Sequence, residues 1–91
     1  MANSTYRFYS DAGHGWLAVR LAELKRLGIA DKITPFSYQK GLTVYLEEDC
    51  DAPAFFNAKT EHGEEALILN RNHGSRSPIR SYEPYNSTLK Q

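Results

Sequence analysis

Carboxylates cluster near the middle of the sequence, and they are the first residues that suggest chemistry. Glu47, Glu48, Asp49 and Asp51 place four acids within five positions. Hard cations such as Ca²⁺ need several oxygen ligands from one loop, but this segment lacks the alternating spacing and the bend glycine of a calcium loop. We therefore interpret the cluster as the cap of a following helix, with Asp49 or Asp51 accepting from the free amides of its first turn.

The acids extend beyond this cluster into a longer acidic region. Residues 47–65 hold seven acidic side chains against one base, Lys59, which gives a local charge of about −6. An acidic surface steers association with a basic groove on a partner, so this region predicts docking on a protein. The residues expected to contact that partner are Glu47, Glu48, Asp49, Glu64, Glu65 and Tyr45.

The C-terminal segment carries the opposite charge. Residues 71–80 contain three arginines and no acid, and two tyrosines follow closely. Arginine binds phosphate through two parallel hydrogen bonds, and aromatic rings stack on unpaired bases. The segment therefore predicts an alternative function, single-stranded nucleic-acid binding, or else an exposed loop whose charges partner the acidic region. The nucleic-acid site would consist of Arg71, Arg76, Arg80, Tyr82 and Tyr85.

The histidines and the single cysteine show no catalytic or metal-binding pattern. His14, His62, His73 and Cys50 lack the paired spacing of zinc ligands. His14, Asp11 and Cys50 are the types of residue that a nucleophilic site uses, but nothing in the sequence brings them together. A phosphate-binding loop, a dinucleotide fingerprint and a nucleophile elbow are all missing. We expect no metal, no cofactor and no enzymatic activity.

Tyrosine supplies six of the eleven aromatic residues. A buried tyrosine needs a partner for its hydroxyl, so an aromatic core does not explain the excess. Tyr9 and Tyr45 alternate away from the apolar positions of their predicted strands. Exposed tyrosines near arginines are typical of recognition surfaces, and half-buried sheet residues are the other interpretation. The tyrosine content therefore indicates binding.

Length, composition and charge bound the class of protein. The 91 residues form one domain at most, and 41% of them are hydrophobic, enough for a core. A net charge of zero argues against nucleic-acid binding through bulk charge. No apolar run reaches the ~18 residues of a membrane span, and the first residues lack signal-peptide features. One cysteine allows no internal disulfide, so we expect a cytoplasmic protein without membrane contact.

The first third of the chain predicts a strand, a turn and a helix. Thr5–Ser10 alternates apolar and mixed residues as a strand does, and two glycines follow in the turn. Trp16–Val19 either pairs back on this strand or opens a helix that continues to Leu27. We favour the hairpin, with the helix starting near Arg20 and Gly28 after its end.

A second hairpin follows Pro35. Its strands are predicted at residues 36–39 and 42–47, with the turn at Lys40 and Gly41. Because side chains alternate between the faces of a strand, Leu42, Val44 and Leu46 are expected in the core, and Tyr45 points away from it.

The last third predicts a helix and two more strands. Pro53 is tolerated in the first turn of the helix, Gly63 ends it, and its buried side consists of Phe55, Phe56 and Ala58. Residues 66–70 and 78–82 are predicted to pair with each other as the last strands. Residues 86–91 show no periodicity and are expected to form a frayed tail.

Together these elements predict the fold class. The order is β-β-α-β-β-α-β-β, an α+β domain with a small antiparallel sheet of about five to six strands and two helices on one face. We expect one domain over residues 1–91. A sheet this small can complete its core through an edge strand, so both a monomer and a homodimer are open.

Four segments carry a resemblance to other proteins. They are residues 11–17, DAGHGWL; residues 37–39, SYQ; residues 44–51, VYLEEDCD; and residues 79–82, IRSY. With these motifs the chain resembles a group of short uncharacterised proteins encoded by bacterial phages, plasmids and other mobile elements. The resemblance implies a non-enzymatic binding module whose partner is a bacterial host protein or ribonucleoprotein. An inhibitor of a bacterial defence complex, such as a CRISPR effector, is the function expected from that setting.

Overall fold

A computed structural model describes residues 3–87 of the chain as a six-stranded sheet with two α-helices. The structure also describes two short 3-10 helices, at Ala30–Lys32 and Pro78–Ser81. The α-helices and strands, in chain order, are β1 Asn3–Ser10, β2 Gly15–Arg20, α1 Leu21–Arg26, β3 Tyr38–Lys40, β4 Thr43–Glu47, α2 Asp51–Glu61, β5 Glu65–Asn72 and β6 Glu83–Pro84.

The sheet is mostly antiparallel and has the strand order β5-β1-β2-β4-β3-β6. Within residues 3–87, β1 and β5 are the only neighbouring strands that run parallel, because α2 carries the chain from β4 back across the sheet to its far edge. The predicted α+β class, with a sheet of about five to six strands and two helices, is confirmed. None of the helices in the described part of the chain is long and apolar enough to cross a membrane.

The structure confirms the hairpin at the N-terminus. β2 pairs with β1 through Phe8 opposite Leu17 and Tyr9 opposite Trp16. α1 begins directly after β2, and Gly28 follows its end with a positive φ of 76°. The amide of Ile29 donates to the carbonyl of Leu24, so the last turn closes in the way that glycine after a helix allows.

Both helices pack against the same face of the sheet and form the core. Leu17, Val44 and Leu46 are fully buried there, together with Leu24 of α1 and Phe55 of α2. The predicted burial of Val44 and Leu46 is therefore confirmed.

The predicted burial of Leu42 is wrong, because 67% of the residue is exposed. β4 begins only at Thr43, so Leu42 still belongs to the turn and its side chain does not follow the alternation of the strand. Its carbonyl instead accepts from the amide of Leu21, which links the turn to the start of α1.

The last strand pair also differs from the prediction. Residues 66–70 do lie in a strand, β5, but its neighbour is β1. Pro78–Ser81 is a 3-10 helix, because proline fixes φ at its first position and the Ser77 hydroxyl caps it by accepting from the amide of Ile79. β6 follows and pairs with β3. Of the predicted tail, residues 88–91 lie outside the described residues.

Candidate functional site

The face of the sheet opposite the helices carries polar and aromatic side chains. Alternation along β2 buries Leu17 and Val19 against the helices and turns Ala18 and Arg20 the other way. A shallow cavity of about 320 Å³ lies on this side, with no acid among the residues that line it. We call this side of the sheet the open face. The residues that line its cavity include Thr5, Arg7, Tyr9, Ala18, Arg20, Thr43 and Tyr45, and Tyr82 packs on the same side against Tyr45.

Three tyrosines form a continuous row across the open face. The ring centroids of Tyr9 and Tyr45 are 6.1 Å apart, and those of Tyr45 and Tyr82 are 5.2 Å apart. Lys40 Nζ lies 5.0 Å from the ring centroid of Tyr82. Burial, and secondarily the neighbouring tyrosines, raises the pKa of Tyr45, so its hydroxyl stays neutral. We call Tyr9, Tyr45 and Tyr82 the tyrosine row.

Ala18 makes room for this row. It lies directly opposite Tyr45 on β2, the strand between the strands that carry Tyr9 and Tyr45. The side chain of Ala18 is a single methyl group, shorter than most strand side chains. The rings of Tyr9 and Tyr45 can therefore approach each other across β2. The same small residue leaves the shallow cavity between Arg7 and Arg20.

Among the described residues, the two arginines that line the cavity, Arg7 and Arg20, differ from Arg26 and Arg80 in having no carboxylate partner. Within residues 3–87, Arg7 and Arg20 form no ion pair, whereas Arg26 and Arg80 are each bonded to a carboxylate. Both guanidinium groups are on exposed residues at the rim of the tyrosine row. They are available to an anion that approaches the open face.

Arg80 is engaged inside the molecule. Its Nε lies 2.7 Å from Asp11 Oδ2 and its Nη2 lies 2.9 Å from Asp11 Oδ1. The Asp11 carboxylate also accepts from the amide of Ser77, and these bonds, the one from Arg80 above all, hold its pKa well below the usual range. The guanidinium of Arg80 covers the ring of Trp16 at 5.5 Å. This contact ties the segment after β5 to the turn between β1 and β2.

The remaining residues of the predicted nucleic-acid site lie in different parts of the structure. Tyr85 is buried, its hydroxyl donates to the carbonyl of Ala30, and burial raises its pKa to about 12. Arg76 is exposed in the loop after β5, and Arg71 lies opposite Tyr9 at the edge of the open face. The structure therefore brings Tyr82 and Arg71 to the open face and directs Tyr85 into the core.

The acidic cluster does cap a helix, but the capping residue is Glu47. Its carboxylate accepts from the amides of Asp49, Cys50 and Asp51 at 2.8, 2.5 and 2.7 Å. The predicted caps, Asp49 and Asp51, are not used, since Cys50 precedes the helix and Asp51 points inward. Glu47 lies at the end of β4, from where its two-carbon side chain reaches forward over the turn.

Glu64 is part of a charged cluster on the helix side. It accepts two hydrogen bonds of 2.8 Å from Arg26 and one of 2.9 Å from Lys59. Lys59 Nζ also lies 3.0 Å from Glu23, and only 2% of its side chain is exposed. The carboxylate of Glu64 is therefore satisfied within the molecule.

The other predicted docking residues lie at three separate places. Glu48 and Asp49 are exposed after β4, Glu65 lies on the edge strand β5, and Tyr45 faces the open side of the sheet. The structure thus brings Glu48 and Asp49 together but does not gather the predicted set on one surface.

The charged cluster predicts an acid-dependent loss of stability. Hydrogen bonds from Arg26, and then from Lys59, lower the pKa of Glu64 to about 2, against ~4.3 in an unfolded chain. Because the folded pKa is the lower one, this stabilisation is complete above about pH 4.5 and is lost as the pH falls towards 2. Glu64→Gln should therefore flatten the dependence of the free energy of unfolding on pH in that window, measured by urea denaturation.

Glu61→Gln is the matched control for this prediction. Glu61 is an exposed glutamate at the end of α2 and takes part in no ion pair among residues 3–87. Glu61→Gln should leave the slope of the free energy of unfolding against pH unchanged. Equal slopes for the two variants would contradict the role assigned to Glu64.

His14 and Cys50 line a cleft beside the turn between β1 and β2. The cleft has a volume of about 400 Å³ and also contacts Trp16, Phe36 and Glu48. The thiol of Cys50 is free, and the charge of Glu47, followed by burial, raises its pKa, which makes it a weak nucleophile at neutral pH. Across residues 3–87, no three metal-ligating side chains come together.

Arg7 and Arg20 are the residues that sequence reasoning missed. The available signal was their alternation with Tyr9 and Ala18 along two strands that pair as neighbours, which places all four on one face. Compared with protein-family models, curated proteins and solved structures, the chain matches none. The geometry of the open face therefore guides the functional argument.

Proposed function

We propose that the chain binds single-stranded nucleic acid on its open face. The observation that carries this proposal is the tyrosine row with Arg7 and Arg20 at its rim. Bases stack on aromatic side chains with ~1–3 kcal/mol each, and guanidinium groups bind phosphate through paired hydrogen bonds. The open face supplies both kinds of contact within one surface.

The arrangement favours single strands over duplexes. Stacking on Tyr9, Tyr45 or Tyr82 requires a base whose face is free, and bases inside a duplex are already stacked on each other. The open face is also shallow, so unpaired bases can reach the rings without entering a deep pocket. Proteins that bind single strands without base-specific hydrogen bonds combine an aromatic platform with a cationic groove in this way.

The distribution of charge reconciles this proposal with a net charge of zero. Many of the acids are placed elsewhere: Glu47 caps α2, and Glu23 and Glu64 bind Arg26 and Lys59 on the helix side. In the described part of the chain, no acid lines the cavity between Arg7 and Arg20, so these two cations can act on a polyanion there. With so few phosphate contacts the affinity should be modest and should fall as salt is added.

Fluorescence anisotropy with a labelled oligothymidylate of about 12 nucleotides tests this function. At low salt we expect saturable binding in the micromolar range, and Tyr45→Ala should weaken it about tenfold by removing the central ring of the row. Phe36→Ala is the control, because Phe36 is 73% exposed and belongs to the cleft instead of the open face. Absence of binding up to about 100 µM, the weak end of nonspecific affinity, would contradict the proposal.

The second candidate function is docking on a protein partner, and the cleft lined by His14 and Cys50 supports it. An exposed aromatic side chain, Phe36, lies there beside the exposed acids Glu48 and Asp49. Aromatic anchors with charged neighbours are common in protein interfaces. The partner that the mobile-element resemblance indicates is a bacterial defence complex. Co-migration with such a complex in size exclusion, lost in Phe36→Ala and kept in Tyr45→Ala, would favour docking.

A further inference from the structure

β5 leaves one edge of the sheet open over eight residues. Its burial pattern is exposed almost throughout, and within residues 3–87 no strand pairs with its outer side. The opposite edge is β6, which is two residues long and contains Pro84. Proteins protect edge strands with proline, charged side chains, bulges or short length. β5 is eight residues long without proline or lysine, and its two charges, Glu65 and Arg71, flank an uncharged centre. It is therefore a template for pairing with another strand.

The apolar residues of β5 are exposed in the single chain. Leu67 is 53% exposed, Ile68 37% and Leu69 46%, three large side chains in succession at the centre of the strand. Successive residues of β1 face opposite sides of the sheet, and the residues beside them in β5 face the same sides. Leu67 and Leu69 therefore face the open side of the sheet, and Ile68 faces the helix side. A partner strand would thus cover apolar surface on both faces.

The sequence of β5 is complementary to itself. In an antiparallel pair related by a two-fold axis, a register centred on Ile68 places Glu65 opposite Arg71 and Leu67 opposite Leu69. Opposite charges that face each other across strands are stabilising, and like charges are destabilising. A centre at Leu67 or Leu69 moves Glu65 away from Arg71, so only the register on Ile68 forms these charge pairs.

We propose that the chain forms a homodimer in which the two β5 strands pair antiparallel about Ile68. The two sheets then form one continuous sheet, and the two-fold axis perpendicular to it keeps both open faces on the same side. Each Glu65 pairs with Arg71 of the second copy at the ends of the leucine contacts. The dimer does not depend on nucleic-acid binding, although it would set two tyrosine rows side by side.

Sedimentation of charge variants tests the pairing. In a Cys50→Ser background, which excludes dimers through the exposed thiol, we expect a concentration-dependent dimer. Glu65→Arg or Arg71→Glu alone should raise the dissociation constant at least about tenfold by creating like-charge pairs, and the double exchange should restore the dimer. A monomer at all concentrations up to about 1 mM, or a double exchange that dimerises no better than the single variants, would overturn the proposal.

Cysteine crosslinking tests the register separately. Ile68→Cys in the Cys50→Ser background should form a disulfide with its own copy on mild oxidation, because the two Ile68 positions face each other. The two Asn70 positions are offset by four residues, ~13 Å along the strands, beyond the ~7 Å that a disulfide bridges. Asn70→Cys should therefore stay uncrosslinked. Crosslinking of Asn70→Cys in place of Ile68→Cys would overturn the register.

Discussion

Asp51→Ala is expected to lower the free energy of unfolding by about 3–5 kcal/mol, the largest loss of any single substitution proposed for this chain. Only 2% of Asp51 is exposed. Its carboxylate accepts from the amide of Thr34 at 3.0 Å, from the hydroxyl of Thr34 at 2.7 Å and from the hydroxyl of Ser37 at 2.5 Å. Alanine would leave these donors without an acceptor, at ~1–3 kcal/mol for each buried group.

The hydrogen bonds of Ser37 extend the effect of Asp51→Ala beyond the contacts of Asp51 itself. The Ser37 hydroxyl accepts from the amide of Glu47, and the Ser37 carbonyl accepts from the amide of Tyr85. Asp51 thus connects the start of α2 to the hairpin of β3 and β4 and to the C-terminal segment. Loss of its carboxylate should loosen all three, because the hydrogen bonds of a buried network strengthen one another and the loss of one weakens the others.

Urea denaturation followed by circular dichroism measures this effect, with Asp49→Ala as the matched control. Asp49 is exposed and lies two residues earlier, and among the described residues its carboxylate accepts no hydrogen bond. The control should change the free energy of unfolding by less than about 0.5 kcal/mol, as exposed substitutions do. Equal losses in Asp49→Ala and Asp51→Ala would contradict the role of the buried network.

The sequence predicted those elements whose pairing is local. The hairpins of β1 with β2 and of β3 with β4 were predictable, because a short turn lies between two strands of period two. The parallel position of β5 beside β1 was not, since it depends on how α2 packs and not on the residues of β5. The sequence predicts a strand over residues 78–82, but capping by Ser77 outweighs the apolar content there, and Pro78–Ser81 forms a 3-10 helix.

The candidate site was predictable only in part, because it too depends on contacts between distant parts of the chain. The outward direction of Tyr9 and Tyr45 follows from alternation, so these residues were found. Charge counted along the chain does not record which charges are already paired, and this limited the prediction of the acidic region. The helix amides that Glu47 satisfies and the cations that bind Glu64 come from the fold. The contribution of Arg7 and Arg20 likewise requires knowing which strands are neighbours.

Arg7→Gln combined with Arg20→Gln is expected to reduce the affinity for single-stranded nucleic acid by about 10- to 100-fold at low salt. Glutamine keeps much of the side-chain length and removes the charge, so the tyrosine row should stay in place. Each phosphate contact contributes about 0.7 to the slope of log K against log salt for single strands. Loss of two contacts should therefore reduce the magnitude of that slope by about 1.4.

Lys25→Gln combined with Lys32→Gln controls for net charge. Both lysines are exposed, at the end of α1 and in the 3-10 helix after it, away from the open face. This variant changes the net charge by the same amount, so it should reproduce only the long-range part of the effect, which salt screens. If its affinity and salt slope fall as far as those of the arginine variant, phosphate is not bound on the open face. If only the arginine variant loses affinity, the rim of the tyrosine row holds the phosphates, because equal charges at different positions then give unequal binding.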